Sequence, residues 1–250
     1  MKDVFGGFDK NMRLLAKSID SIMRTLIYIP IIHSGADMGS MATELTRKGI
    51  DEFGIEFWET HVDTVNKYWE IIGQSCDAID FGDKVVKLYQ DGMVVDGEIA
   101  IKIMEDSVKA GSRNYEIISK LVKRGAIIVR TEDLSLVKKE LEMLKSMPSS
   151  GALITKLIMI LRFKIIRYKL LGQRDKFIAD RIATTLDTNE TGIIFLGAYH
   201  DILKKLPNDI VIKELKEISK VREYQKLLPF HVKRKQRFLE LSSYLMDLVK

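Results

Sequence analysis

Cysteine is almost missing from these 250 residues: the only one is Cys76. That excludes an intramolecular disulfide and any zinc or iron–sulfur site built on several thiolates, and it leads us to expect a reducing, cytoplasmic setting. Proline is also scarce, at 4 residues against 16 glycines. No Pro/Gly/Ser-rich linker divides the chain, and the nearest break, Met147–Gly151, reads as a turn between helices. Long hydrophobic runs are lacking as well. The longest, Leu26–Ile32 and Leu157–Leu161, fall far short of the roughly 20 residues that cross a bilayer, and Met1–Asp20 has no apolar core of signal-peptide length. There is no internal repeat, P-loop, G-x-G-x-x-G, H-E-x-x-H, G-x-S-x-G or zinc-finger spacing.

What is present is an ordinary globular mixture, 46% hydrophobic and 30% charged, expected to fold as one α/β domain over residues 1–250. The charge is unevenly divided. Residues 1–125 carry 16 Lys and Arg against 20 Asp and Glu, and residues 126–250 carry 24 against 15, so the net positive charge belongs to the C-terminal half. Its two clusters, Lys156 to Arg181 and Lys233-Arg234-Lys235 with Arg237, alternate with apolar residues and read most simply as solvated helix faces. An anionic ligand or a membrane surface is the other reading. Nucleic acid is disfavoured because the aromatics do not interleave with the basic residues.

Periodicity organises the chain. A short N-terminal helix precedes Leu26–Ile32, a β-branched and aromatic run expected to be a strand, with Pro30 placing it at an edge or ending it early. Ser40–Lys48 reads as a short helix and Glu52–Trp58 as a second strand. Helices are expected over 60–78, 84–110 and 114–124, then a third strand over Gly125–Arg130, an amphipathic helix over 133–146, and a long helical pattern over 152–186 broken near Gly172. Gly192–Leu196 and Asp209–Ile212 complete the strands before helices at 213–227 and 230–249. Strands alternating with long helices imply βα units: a small, mainly parallel sheet, with helical insertions at about 60–124 and 133–187.

Ligands bind open parallel sheets beyond the C-terminal ends of the strands. The residues found there are His33 and Asp37, Glu56 and Glu59, Glu132 and Asp133, and His200 and Asp201. Neutral imidazole and carboxylate can hold a divalent metal or act as base and acid on water. Each also has a plainer reading. A histidine after a strand commonly bonds its own loop; Thr131 or Asp133 serves as a helix cap; Glu56, between Ile55 and Phe57, needs either solvent or a partner. His61 and His231 belong to surface helices, and Phe57, Trp58, Tyr68 and Trp69 to packing.

At these residues the sequence resembles the superfamily of TraB/PrgY, GumN, the Tiki proteases, the ChaN haem-binding proteins and the erythromycin-esterase-like hydrolases. The matching pieces occur in order: Pro30-Ile-Ile-His33 at a first G-x-x-H; Ile55-Glu56 at an acidic strand end; Arg174-Asp175 in a late helix where the family has Arg-Asn/Asp; and Gly197-Ala-Tyr-His200 at a second G-x-x-H. Together they cover under a third of the chain. Pro30 replaces the family's glycine. The resemblance implies an α/β fold with a polar site at the strand ends, in which His33 and His200 are ligands or bases, Glu56 is their acidic partner and Arg174 steadies negative charge. It further implies a divalent metal (Mn, Co or Zn) and a peptide or small-molecule ester substrate for some members, hydrolysis without metal for others, and ligand binding alone for the rest. Two readings therefore remain open: a hydrolase using His33, Glu56, Arg174 and His200, and a non-catalytic binding or scaffold protein of the same fold. A site shared between two chains of a homodimer is compatible with either.

Overall fold

The computed structural model describes residues 23–34, 37, 42–145 and 153–249. The expected N-terminal helix and the Met147–Gly151 turn lie outside them. Five strands, β1 (Arg24–Ile31), β2 (Val86–Gln90), β3 (Ile127–Val129), β4 (Thr191–Gly197) and β5 (Ile210–Glu214), form one all-parallel sheet in the order β3-β2-β4-β1-β5. Leu26, Tyr28 and Ile29 of β1 and Ile193–Leu196 of β4 are fully buried. Helices cover both faces of these central strands, which is why they read as unbroken apolar runs rather than alternating ones.

Pro30 is tolerated inside the sheet for a directional reason. The Tyr28 carbonyl faces β5, accepting from the Leu215 N–H, so the Pro30 backbone, two residues on, faces the same way. Pairing with β5 has ended by then, at Tyr28 opposite Glu214. Pro30 thus loses no ladder bond, and its carbonyl accepts from the Tyr68 hydroxyl instead. The expected edge strand is an interior strand with a truncated neighbour.

Among the described residues the helices are α1 (Ala42–Phe53), α2 (Ile55–Asp77), α3 (Gly97–Lys109), α4 (Arg113–Lys123), α5 (Leu134–Lys145), α6 (Leu153–Thr185), α7 (Ile218–Leu227) and α8 (Lys235–Met246). The strand expected over Glu52–Trp58 does not exist. The segment is the end of α1, a Gly54 at φ 85°, and the start of α2. Its apolar residues belong to the stripe continued by Val65, Tyr68, Trp69 and Ile72, and the Phe57 ring stacks on His231 at 3.5 Å and lies 5.3 Å from Phe238. Helical spacing over 23 residues outweighs a short run that matches a strand equally well.

The helix expected over 84–110 is interrupted as well: Val86–Gln90 is β2, paired with β4 from Val86 opposite Thr191 to Gln90 opposite Phe195. The helical insertion expected over 60–124 therefore contains a sheet strand. Conversely, α6 runs through Gly172 without a break. Tyr89 donates to or accepts from Thr185 at 2.9 Å, which places the end of α6 on the sheet face that Tyr89 points to. Gln90, next along the strand, points to the other face, toward α3 and α4.

The order of connection decides where a crevice opens. The chain leaves β2 toward one edge of the sheet, to β3, and leaves β4 toward the other, to β5. Adjacent strands whose connections diverge leave a gap at their C-terminal ends, where open α/β sheets bind ligands.

Candidate functional site

Asp91, the first residue after β2, spans this gap. Its backbone N–H donates to the Phe195 carbonyl at 2.9 Å. Its side chain accepts from the Gly197 N–H through Oδ2 at 3.1 Å and from Arg174 Nη2 through Oδ1 at 2.8 Å. A Cβ on Gly197 would lie 3.2 Å from Asp91 Oδ2, so the glycine of Gly197-Ala-Tyr-His200 permits the close approach of β4 to this carboxylate.

His200 is fixed by the turn that follows. Its N–H donates to the Gly197 carbonyl at 3.1 Å, and Arg222 donates to the carbonyls of Ala198 at 2.6 Å and His200 at 3.1 Å. Ring Nδ1 lies 2.6 Å from Asp175 Oδ1. With Asp175 ionised, the hydrogen bond assigns the proton to Nδ1 and leaves Nε2 as the free lone pair. Nε2 faces Asp91 Oδ2 at 3.7 Å. The other Asp175 oxygen accepts from the Asp201 N–H at 3.1 Å and from Lys205 Nζ at 3.3 Å.

Glu132 comes from the loop after β3, whose Thr131 and Glu132 N–H groups both donate to the Met93 carbonyl, at 2.8 and 2.9 Å. Its side chain is wholly buried. Arg174, 7% exposed, donates through Nε and Nη2 to both Glu132 oxygens, through Nη2 to Asp91, and through Nη1 to Glu140 of α5. Asp133 caps α5, accepting from the N–H groups of Ser135 and Leu136 at 2.9 and 3.2 Å. The capping reading of this loop is thus right for Asp133 and incomplete for Glu132.

The environments push the acids apart. Burial works against ionisation of Asp91, yet the charges of His200, Arg174 and His33 and the Gly197 N–H outweigh it and hold the carboxyl below its ordinary value. For Glu132 burial prevails over the Arg174 fork, and the value is raised. Asp175 is held low against its own burial by His200, the Asp201 N–H and Lys205. Among the described residues the carboxyl groups of Asp91, Glu132 and Glu140 share Arg174, and Asp175 meets His200 and Lys205, so acids outnumber the permanent cations of the cluster.

One ligand atom from each of Asp91, Glu132 and His200 lies within 4.8 Å of the others. These are the donor types and spacing of a divalent-metal site. The 3.7 Å between Asp91 Oδ2 and His200 Nε2 matches two ligands each about 2.1 Å from a shared ion. The Asp175–His200 contact is the carboxylate support that metal-bound histidines receive. The residues fit such an ion. Asp91 also lines an open cleft of about 540 Å³ with His33, Asp37, Gln90, Ser112 and Tyr115, and so connects the buried group to solvent.

The sequence-derived residues divide accordingly. His200 and Arg174 belong to the cluster, and His33, exposed in the loop after β1, lines the same cleft as Asp91. Glu56 is exposed on the first turn of α2, not at a strand end, and the carboxylates that meet His200 are Asp91, Glu132 and Asp175. Arg174 does not present itself to a developing charge: its three nitrogens are already engaged by carboxylates, so it positions them. The helical pattern over 84–110 conceals Asp91, which follows the strand Val86–Gln90. Its signal is Val85-Val86-Lys-Leu-Tyr-Gln90 followed by Asp91-Gly92, a β-rich run closed by a turn dipeptide. No helix among the described residues is long and apolar enough to cross a membrane.

No protein-family model matches this chain, and no match was found among curated proteins or solved structures.

Proposed function

We propose that the protein is a divalent-metal-dependent hydrolase that cleaves peptide or ester bonds in the cleft beside Asp91. The observation that carries the reading is the convergence of Asp91, Glu132 and His200 at the ends of three adjacent strands, backed by Asp175. The resemblance to the TraB and Tiki superfamily points to the same chemistry.

Asp91 and His200 would hold the ion, with Glu132 as a third ligand drawn from its Arg174 fork. When bound, a divalent ion such as Mn, Co or Zn supplies Lewis acidity to a carbonyl and to water. The remaining work falls to the chain. Asp175 keeps the His200 proton on Nδ1 and its Nε2 free. Arg174 holds Asp91 and Glu132 in place. His33, exposed at the cleft and without a hydrogen bond to its ring among the described residues, takes the proton of attacking water and returns it to the leaving group.

Metal analysis after loading with Mn²⁺, Co²⁺ or Zn²⁺, combined with a peptide and ester panel, tests this. His200→Ala and Asp91→Asn should lose both metal and turnover, whereas His33→Ala should keep the metal and lose turnover. A protein that takes up none of the three ions, or whose turnover survives His200→Ala, would refute it. The second reading, a ligand-binding protein without turnover, is favoured by one observation: His200 is only 6% exposed. Stoichiometric metal with no hydrolysis of the panel would select it.

A further inference from the structure

The cleft in front of Asp91 has a chemical character of its own. Among the described residues its charged lining is Asp37, Asp91 and Asp106, with His33 the one basic residue beside them. Asp37 is held as an acceptor: Oδ2 receives the Ser34 N–H and hydroxyl at 2.7 and 2.8 Å, and Oδ1 the Ser112 hydroxyl. Asp106 is exposed and meets Lys109 at 3.5 Å, too loosely for the pair to cancel its field.

A second observation is independent of this charge. Gln90 and Asn114, 5% and 3% exposed, both line the cleft, and Gln90 Oε1 and Asn114 Oδ1 are buried without any hydrogen-bond partner. A buried carbonyl acceptor left unpaired has given up its hydration without a replacement, which is unfavourable. Gln90 is oriented by its own amide, whose Nε2 donates to the Asp91 carbonyl at 3.3 Å, so its oxygen is the end left over. The two orphaned acceptors lie just behind a wall that also carries carboxylates, and a turn of either amide side chain toward the cleft would pair its oxygen with a ligand that brings donors and positive charge.

We propose that this cleft binds the protonated amine of an amino-acid derivative, so that the substrates of the hydrolase reading, on which this rests, carry a free amino terminus. A primary ammonium has three donors and no acceptor, matching a carboxylate of the lining together with the two amide carbonyls once their side chains turn to meet it. Ile103, 38% exposed, and Ala110 lie on the same wall and provide apolar surface for a side chain next to that amine.

The test is direct binding of L-leucinamide and N-acetyl-L-leucinamide to the full chain by calorimetry, with EDTA present so that no turnover intervenes. The free amine should bind at least about tenfold more tightly than its acetylated counterpart, the scale of one charged hydrogen bond. Asn114→Leu and Asp106→Asn should each erode that preference. Asp106 is exposed, so its variant keeps the test decisive if Asn114→Leu fails to fold. Equal binding of the two probes, no saturation by either, or an unchanged preference in Asp106→Asn would overturn the proposal. Selective amine binding by a protein that hydrolyses nothing in the panel would keep the amine site and remove the hydrolase. Turnover that is indifferent to N-acetylation would do the reverse.

Discussion

Replacing Arg174 with methionine, of similar length but uncharged, should expose how the site is held together. Arg174 is the common partner of Asp91, Glu132 and Glu140, and Glu132 has no exposed surface. Removing one member of a buried ion pair leaves an uncompensated charge and typically costs about 3–5 kcal/mol. For a chain of this size that is roughly 6–20 °C in thermal midpoint. The loss should depend on pH in a defined direction. The Glu132 value is raised already with Arg174 present and must rise further without it, because the guanidinium is what opposes burial. A carboxyl whose folded value exceeds its unfolded one binds protons preferentially in the folded state, so its stabilisation is present at low pH and is lost as pH rises through the folded value. The deficit of Arg174→Met relative to wild type should therefore be largest near pH 8 and shrink toward about pH 5.5. Adding Glu132→Gln removes the buried charge and should recover part of the loss, giving a coupling well above the error of a double-mutant cycle. Urea unfolding followed by far-ultraviolet circular dichroism at both pH values measures all three variants. A deficit below about 1 kcal/mol, the range of surface pairs, would refute the reasoning, as would one that grows on acidification.

Asp175→Asn keeps the shape behind His200 but removes the carboxylate charge that supports its Nδ1 proton and lets an amide donor face the ring instead, so titration with Zn²⁺ or Mn²⁺ should show affinity lower by about 10–100-fold; unchanged affinity would remove Asp175 from the site. Gly192→Ala would put a Cβ 2.8 Å from Leu26 Cδ1 and 3.2 Å from Tyr89 Cε2 in the middle of the sheet, and overpacking there should cost about 1–3 kcal/mol in denaturant unfolding. His61, bonded to the Tyr224 hydroxyl at 2.8 Å, is pushed by burial from 6.5 down to about 4. The unfolded chain then binds the extra proton, so stability should fall as pH drops through 6.5 toward 4, and His61→Phe should flatten that segment of the pH–stability profile.

The central strands were legible because β1 and β4 are buried on both faces and must therefore be apolar throughout; no tertiary knowledge is needed to see Leu26–Ile32 or Gly192–Leu196. The α/β class and the parallel sheet followed from their alternation with long helices. His200 was found by the rule that strand ends carry chemistry, and Arg174-Asp175 by resemblance. Two short segments failed for one reason. Glu52–Trp58 and Val86–Gln90 are each shorter than two helical turns of pattern, so period two and period 3.6 fit them almost equally. The first segment matches a strand that would put Glu56 at its end; the second merges into a helical pattern that conceals Asp91.

The sequence alone thus determined that the β1 and β4 segments must be buried, that the sheet is parallel, and that a histidine follows each of these two strands. The tertiary structure decided which carboxylates that histidine meets. Strand order is a long-range property: β2 pairs with β4 between residues 105 positions apart in the chain, from Val86 opposite Thr191 to Gln90 opposite Phe195. Only that pairing brings Asp91 against Gly197 and His200. Local periodicity carries no record of it, because the free energy that selects it comes from packing the whole sheet between its helices rather than from any one segment.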